Sequence, residues 1–183
     1  MSQSINLYKQ LANHKLFNKS VNFGLKRIKL ALALLGHPEK KLKNVISVVG
    51  ESGKFTTLFS LKSFIEASNQ KVTTHISPSL RDIRERFYMG EKYLSHKEIK
   101  KTIKQIEKLN IPLTIFECLT LVYIINASKI NVDYNIQETG ALWRLDSNNI
   151  NDFPRLQICT NINKQHLNFL KKRDFYFVHS FAL

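Results

Sequence analysis

Cysteine is scarce: Cys118 and Cys159 are the only two in 183 residues. So few thiols exclude the disulfide framework of small secreted domains, and no Cys/His spacing suits a structural zinc site. Both lie among apolar neighbours, which predicts buried thiols in a reducing compartment; nothing in the pattern supports a disulfide between them. Long hydrophobic runs are missing too. The stretch from Leu119 to Ala127 falls short of the ~20 apolar residues that a helical membrane span needs. The opening residues, Met1-Ser2-Gln3-Ser4-Ile5-Asn6, lack the charged-then-apolar layout of a secretory signal. A soluble, cytoplasmic protein is the expectation. Internal repeats and low-complexity linkers are also absent.

Acidic residues are few, 14 against 28 lysines and arginines, for a formal charge of +14. Such an excess suits phosphate-bearing partners. The basic pairs Lys40-Lys41, Lys100-Lys101 and Lys171-Lys172 fall on different segments, however, and no aromatic–basic interleaving of an RNA-recognition type accompanies them. Solvated surface lysine is therefore favoured over a nucleic-acid groove. Anionic small molecules such as nucleotides remain natural partners. With 43% hydrophobic residues the chain suits one globular domain with a sizeable core.

What is present is an alternation of strands and helices. Helical spacing from Val21 to Leu35 puts Leu25, Ile28, Leu32 and Leu35 on one side, and Gly36 and Pro38 stop it. Strands are predicted over Val45 to Val49, Val72 to Ile76, Val132 to Gln137 and Leu156 to Cys159. Helices are predicted from the loop after Val49 to Ala67, from Lys97 to Lys108 with Ser95 as cap, and from Phe116 to Ala127. Strands separated by helices imply a mostly parallel α/β sheet covered on both faces. In such sheets ligands gather at the carboxyl ends of the strands. Here those ends carry Gly50 to Thr56, Ser77, Glu138 and the region from Thr160 to His166.

The segment Gly50-Glu51-Ser52-Gly53-Lys54-Phe55-Thr56 follows the first of these strands and opens a helix. Glycines admit phosphate oxygens close to backbone N–H groups, lysine adds a point charge, and a hydroxyl can reach Mg²⁺. The spacing G-x-x-G-K-x-T is one step from the usual phosphate loop, and a plain Gly-Lys turn is its duller reading.

Several motifs in order resemble the N-terminal part of folylpolyglutamate synthase, including the bifunctional dihydrofolate synthase form, within the Mur ligase superfamily. They are Phe23-Gly24-Leu25-Lys26-Arg27-Ile28, Leu35-Gly36-His37-Pro38, the phosphate loop, Ser77-Pro78-Ser79-Leu80, Glu85-Arg86, Gly90-Glu91, Thr114-Ile115-Phe116-Glu117, and Glu138-Thr139-Gly140-Ala141-Leu142-Trp143-Arg144-Leu145-Asp146-Ser147-Asn148-Asn149. The resemblance implies a P-loop-type sheet like the Mur-ligase central domain. It places an ATP-binding unit over residues 1–170, an unmatched tail over 171–183, and no counterpart of the family's second domain.

It also implies an ATP-dependent ligase that adds L-glutamate to folate or dihydropteroate through an acyl phosphate. Gly50, Gly53, Lys54, Phe55 and Thr56 would then contact ATP, and Ser77, Glu138 and His166 would ligate Mg²⁺. Thr114, Ile115, Phe116 and Glu117, with Leu145, Asp146 and Ser147, would line the pterin site. No catalytic residue is assigned.

Certain positions depart from the family pattern. Phe55 replaces a glycine and sets a bulky ring against the phosphate cradle. Glu51 brings a carboxylate near the phosphates, Ala141-Leu142-Trp143 replaces a glycine-rich turn, Ser79 replaces a histidine, and Gln165 replaces an aspartate beside His166. The tail from Lys171 to Leu183 offers no match for the family's metal-binding modified lysine. Two readings therefore stay open: a ligase, with a separately encoded C-terminal domain as its partner, or a non-catalytic remnant or nucleotide- or folate-binding module. Each residue has a plainer alternative as well: a turn at Ser77, a helix-capping carboxylate at Glu138, a buried ion-pair partner at Glu117 and a surface histidine at His166.

Overall fold

The β-branched run Val45–Val49 forms a fully buried strand, β2, in the interior of a five-stranded sheet, next to its edge. The computed structural model describes residues 24–140 and 143–161, with residues 7, 9–11, 13–15, 17 and 18 of the preceding segment. The other strands of this sheet are β3 (Val72–His75), β4 (Phe87–Met89), β6 (Tyr134–Glu138) and β7 (Leu156–Cys159), in the spatial order β4-β3-β6-β2-β7. All neighbours run parallel except the edge strand β4, which pairs antiparallel with β3. A separate two-stranded parallel ladder joins β1 (Phe17–Asn18) to β5 (Leu113–Thr114). The expected mostly parallel α/β sheet is the one observed.

The helices are α1 (Lys26–Leu34), α2 (Lys54–Ala67), α3 (His96–Glu107) and α4 (Ile115–Ala127). Residues 21–23, where the sequence pattern begins the first helix, lie outside the described residues. Two starts are fixed by reciprocal capping boxes: Ser95 with Glu98 at α3, and Thr114 with Glu117 at α4. Each satisfies backbone N–H groups that a helix start otherwise leaves unpaired.

Alternation along the strands sends side chains to opposite faces. Ile46, Val48, Val72 and Ile136 meet Leu58 and Ile65 of α2 on one face. Val45, with Ile28 and Leu32 of α1, Ile99 and Ile103 of α3 and Leu119 and Val122 of α4, builds the larger core on the other. Full burial of such a side chain stabilises by roughly 1.5–3 kcal/mol, so these layers dominate the fold's stability.

That second face also carries a polar layer. Thr73, His75, Asn135 and Gln137 alternate with the apolar strand residues, yet all four are buried. The Thr73 hydroxyl donates to Asn135 Oδ1 at 2.7 Å and lies 2.7 Å from the Tyr123 hydroxyl. The His75 ring stacks between Phe87 and Tyr123, with centroids 5.6 and 5.1 Å away. Burial holds His75 neutral, pushing its pKa down to about 3, with the Arg86 charge acting the same way.

The thiols diverge. Cys118 is fully buried in α4, and burial raises its pKa well above the ordinary thiol range. Cys159 is exposed, contrary to the expectation of two buried thiols, because it ends the edge strand β7. Among the described residues no helix is long and apolar enough to cross a membrane.

Candidate functional site

The chain leaves β2 at Gly50 and enters α2 at Lys54. Gly50 has φ +125°, and a Cβ there would collide with Thr160 Oγ1 and come within 2.8 Å of the Asn161 carbonyl oxygen. Only glycine fits. Gly53 follows in the left-handed region at φ 81° and caps α2 without any side-chain hydrogen bond. The first turn of α2, including Phe55 and Thr56, thus presents its N–H groups and the positive end of the helix dipole. The Lys54 ammonium folds back, donating to the carbonyls of Gly50 at 2.9 Å and Glu51 at 3.3 Å.

Phe55, the bulky replacement of a glycine, lies in the first turn of α2. Its ring is 39% exposed and packs on Phe59 at 4.5 Å, one helical turn on. Helix geometry turns position 55 outward while keeping its N–H in the first turn.

Facing the loop are Glu138, the last residue of β6, and Ser77, two residues beyond the end of β3. The Ser77 N–H donates to Glu138 Oε2 at 3.2 Å, and Arg86 Nη1 donates to Ser77 Oγ at 3.0 Å. Among the described residues the Glu138 carboxylate caps no helix. Burial raises its pKa, while the Ser77 N–H, Lys54 and Arg86 act in the opposite direction. Asp146, on the turn after β6, is pushed up to about 6, chiefly by burial and in part by the neighbouring Glu138 charge. Its Oδ1 accepts the Asn148 N–H at 2.8 Å. Lys54 acts electrostatically on both carboxylates. The loop lysine, Ser77, Glu138 and Asp146 therefore converge at one end of the sheet. His166 and the tail 171–183 lie outside the described residues, as do Ala141 and Leu142.

The start of α4 meets the same turn from the side. Ser147 Oγ and Thr120 Oγ1 are 2.8 Å apart and buried, which ties residues 145–147 to the helix that begins at Ile115. Phe116 and Leu145 stay largely exposed, at 55% and 37%. Glu117 is committed to structure: its Oε2 accepts the Thr114 N–H at 2.7 Å and pairs with Arg27 Nε at 3.1 Å. The Arg27 pair matches the buried ion-pair reading of Glu117, and among the described residues its buried Oε1 has no hydrogen-bond partner. Sequence reasoning passed over Thr160 and Asn161 as holders of the loop. Their importance follows from the pairing of β7 with β2, which no local pattern displays.

A glycine–lysine loop between strand β2 and helix α2, on a mostly parallel sheet covered on both faces, defines a P-loop-type α/β domain of the Mur-ligase kind. Within that class, the chain is related in sequence and fold to the dihydrofolate synthase/folylpolyglutamate synthases. The Bacillus subtilis enzyme of that name is 32% identical over 156 residues, covering 80% of this chain and 36% of the relative. The solved structure of Escherichia coli FolC in complex with DHPP and ADP superposes with a TM-score of 0.81 at 31% identity, over 93% of this chain and 41% of that one. A bifunctional folylpolyglutamate synthase/dihydrofolate synthase with Mn, AMPPNP and L-glutamate bound gives a TM-score of 0.72 at 30% identity, over 78% and 35%. No family model matches the chain. It spans roughly a third of the length of the curated relatives it matches.

Proposed function

We propose that this chain provides the phosphate- and metal-binding part of an ATP-dependent carboxylate–amine ligase of the folylpolyglutamate synthase type. The observation that carries the reading is the convergence of Lys54, the uncapped start of α2, Ser77 and Glu138 at the carboxyl ends of β2, β3 and β6. Gly50, Gly53, Lys54, Phe55 and Thr56 would receive the ATP phosphates through backbone N–H groups, the Lys54 ammonium and the exposed Thr56 hydroxyl.

A divalent cation fits the donors present. The Ser77 hydroxyl and Glu138 carboxylate are hard oxygen ligands of the type Mg²⁺ prefers, and they lie at the carboxyl ends of the neighbouring strands β3 and β6, with the Ser77 N–H bonded to the carboxylate. When bound, the ion would neutralise charge on transferring phosphoryl oxygens. The chain's own residues would bind and orient. Lys54 releases the loop carbonyls to meet phosphate, and Arg86 holds the Ser77 hydroxyl in place. Thr114, Ile115 and Phe116, with Leu145, Asp146 and Ser147, would receive the pterin end of a folate or dihydropteroate. The terminal carboxylate of that substrate would be phosphorylated and then attacked by the amine of L-glutamate.

The test is Mg·ATP binding to the purified chain, read as a rise in melting temperature through preferential binding to the folded state. Lys54→Ala is expected to abolish the rise and leave the ligand-free melting point nearly unchanged. An equal response in both proteins would remove the loop from the function.

A further inference from the structure

The phosphate loop is held from the side by the strand next door. Beyond Cys159 the chain stays alongside β2: the Thr160 N–H donates to the Val49 carbonyl at 2.9 Å, and its hydroxyl donates to the same oxygen at 3.2 Å. Asn161 then turns toward the loop. Its Oδ1 accepts the N–H groups of Glu51 at 3.1 Å and Ser52 at 2.8 Å. The Glu51 N–H also reaches the Asn161 backbone carbonyl at 3.1 Å. Gly50 is pressed so closely against Thr160 and Asn161 that no side chain fits there. Successive N–H groups converging on one oxygen form the concave nest that binds anions in phosphate loops. Here the protein's own amide oxygen fills the part of the nest made by residues 51 and 52. The part made by the start of α2 has no side-chain cap.

We propose that Asn161 is a positioning residue for the phosphate loop. It commits the N–H groups of Glu51 and Ser52 to the protein, which sets the loop's curvature before nucleotide arrives. The N–H groups of the first turn of α2 are left to the phosphates. A loop already in shape loses less conformational freedom on binding, so the contact strengthens nucleotide affinity without touching nucleotide. This assignment rests on the loop being the phosphate site, as proposed above.

The experiment measures Mg·ATP affinity by calorimetry, and amide exchange at Glu51 and Ser52 by NMR, for wild type, Asn161→Ala, Asn161→Asp and Lys54→Ala. Asn161→Ala is expected to weaken Mg·ATP at least tenfold and to speed exchange at both amides. Asn161→Asp keeps an oxygen at the accepting position and is expected to restore the protection. In wild type, that protection should persist with Mg·ATP bound, since the contact is kept. Unchanged or tighter ATP binding by Asn161→Ala would overturn the assignment; in the tighter case the amide would be a plug that phosphate displaces. Loss of protection at Glu51 and Ser52 when ATP binds wild type would overturn it in the same way. If Lys54→Ala binds ATP as wild type does, or wild type does not bind it, the reading of the loop itself fails and takes this assignment with it. Loss of ATP binding in Lys54→Ala with none in Asn161→Ala defeats the positioning role alone.

Discussion

The Asp146 carboxylate lies so close to the α-carbon of Gly140 that a Cβ added there would stand 2.6 Å from Oδ2. The Gly140 N–H donates to the same carboxylate, and Asp146 Oδ1 also takes the Asn148 N–H. The Asn148 side-chain amide in turn donates to the Glu138 carbonyl at 2.9 Å, while its oxygen lies 3.0 Å from His75 Nδ1. Glu138, Gly140, Asp146 and Asn148 are thereby tied to one another and anchored to His75 of β3. Gly140→Ala is expected to destabilise the fold by ~1–3 kcal/mol, the usual cost of forcing extra volume into a packed site. Chemical denaturation measures it. Unchanged stability would mean that the turn yields freely and does not hold Asp146.

Asp146 gives the second prediction. Its folded-state pKa, about 6, lies above the ordinary aspartate value of 3.8, so the folded state holds a proton that the unfolded chain releases. Its favourable contribution is complete below the unfolded value and is lost as pH rises through the folded one. Asp146→Asn removes this titration. Relative to wild type, the variant should gain stability between about pH 4 and pH 6 and then stay level. Denaturation midpoints of both proteins across that range test it; a constant difference would show that the carboxylate is not strained by burial.

Much of this architecture is legible in the chain. The run Val45–Val49 and the helix Lys54–Ala67 follow from β-branched residues ending at a glycine, and Ser95 with Glu98 announces the start of α3. Other features depend on tertiary context. Thr73, His75, Asn135 and Gln137 alternate with apolar residues, and nothing local shows that α4 covers them or that hydrogen bonds and ring stacking replace water for most of their groups. The edge strand Phe87–Met89 is too short for alternation to register. The outward turn of Phe55 was available from its spacing to Phe59, whereas the hold of Asn161 on the loop needs the order of strands.

The third prediction concerns acid. His75 stays neutral in the folded state down to about pH 3, whereas an unfolded histidine takes up a proton near 6.5. The contribution is complete above pH 6.5 and is lost as pH falls from there toward 3, at about 1.4 kcal/mol per unit. His75→Phe keeps the stacking on Phe87 and Tyr123 but leaves the Asn148 oxygen unpaired. It should cost about 1–3 kcal/mol at neutral pH and lose less than wild type on acidification. Parallel denaturation curves at pH 7 and pH 4 decide. An equal acid loss in both proteins would place the sensitivity elsewhere.

The fourth prediction separates metal from phosphate recognition. Lys54 reaches the loop, whereas Ser77 and Glu138 sit across from it, just beyond β3 and at the end of β6, so their losses should have different signatures. Lys54→Ala should weaken ATP with and without Mg²⁺, since its ammonium would meet phosphate directly. Glu138→Gln keeps size and a hydrogen-bond acceptor for the Ser77 N–H but removes the anionic oxygen. It should leave metal-free ATP binding intact, or improve it through lost repulsion, and abolish most of the gain that Mg²⁺ brings. Burial holds the Glu138 pKa above the ordinary glutamate range, and metal requires the ionised form, so wild-type Mg²⁺ dependence should grow as pH rises and proton release should accompany binding. Calorimetry in buffers of different ionisation enthalpy measures both. The same Mg²⁺ gain in Glu138→Gln as in wild type would exclude Glu138 as a ligand, leaving its carboxylate only the role of holding the Ser77 backbone.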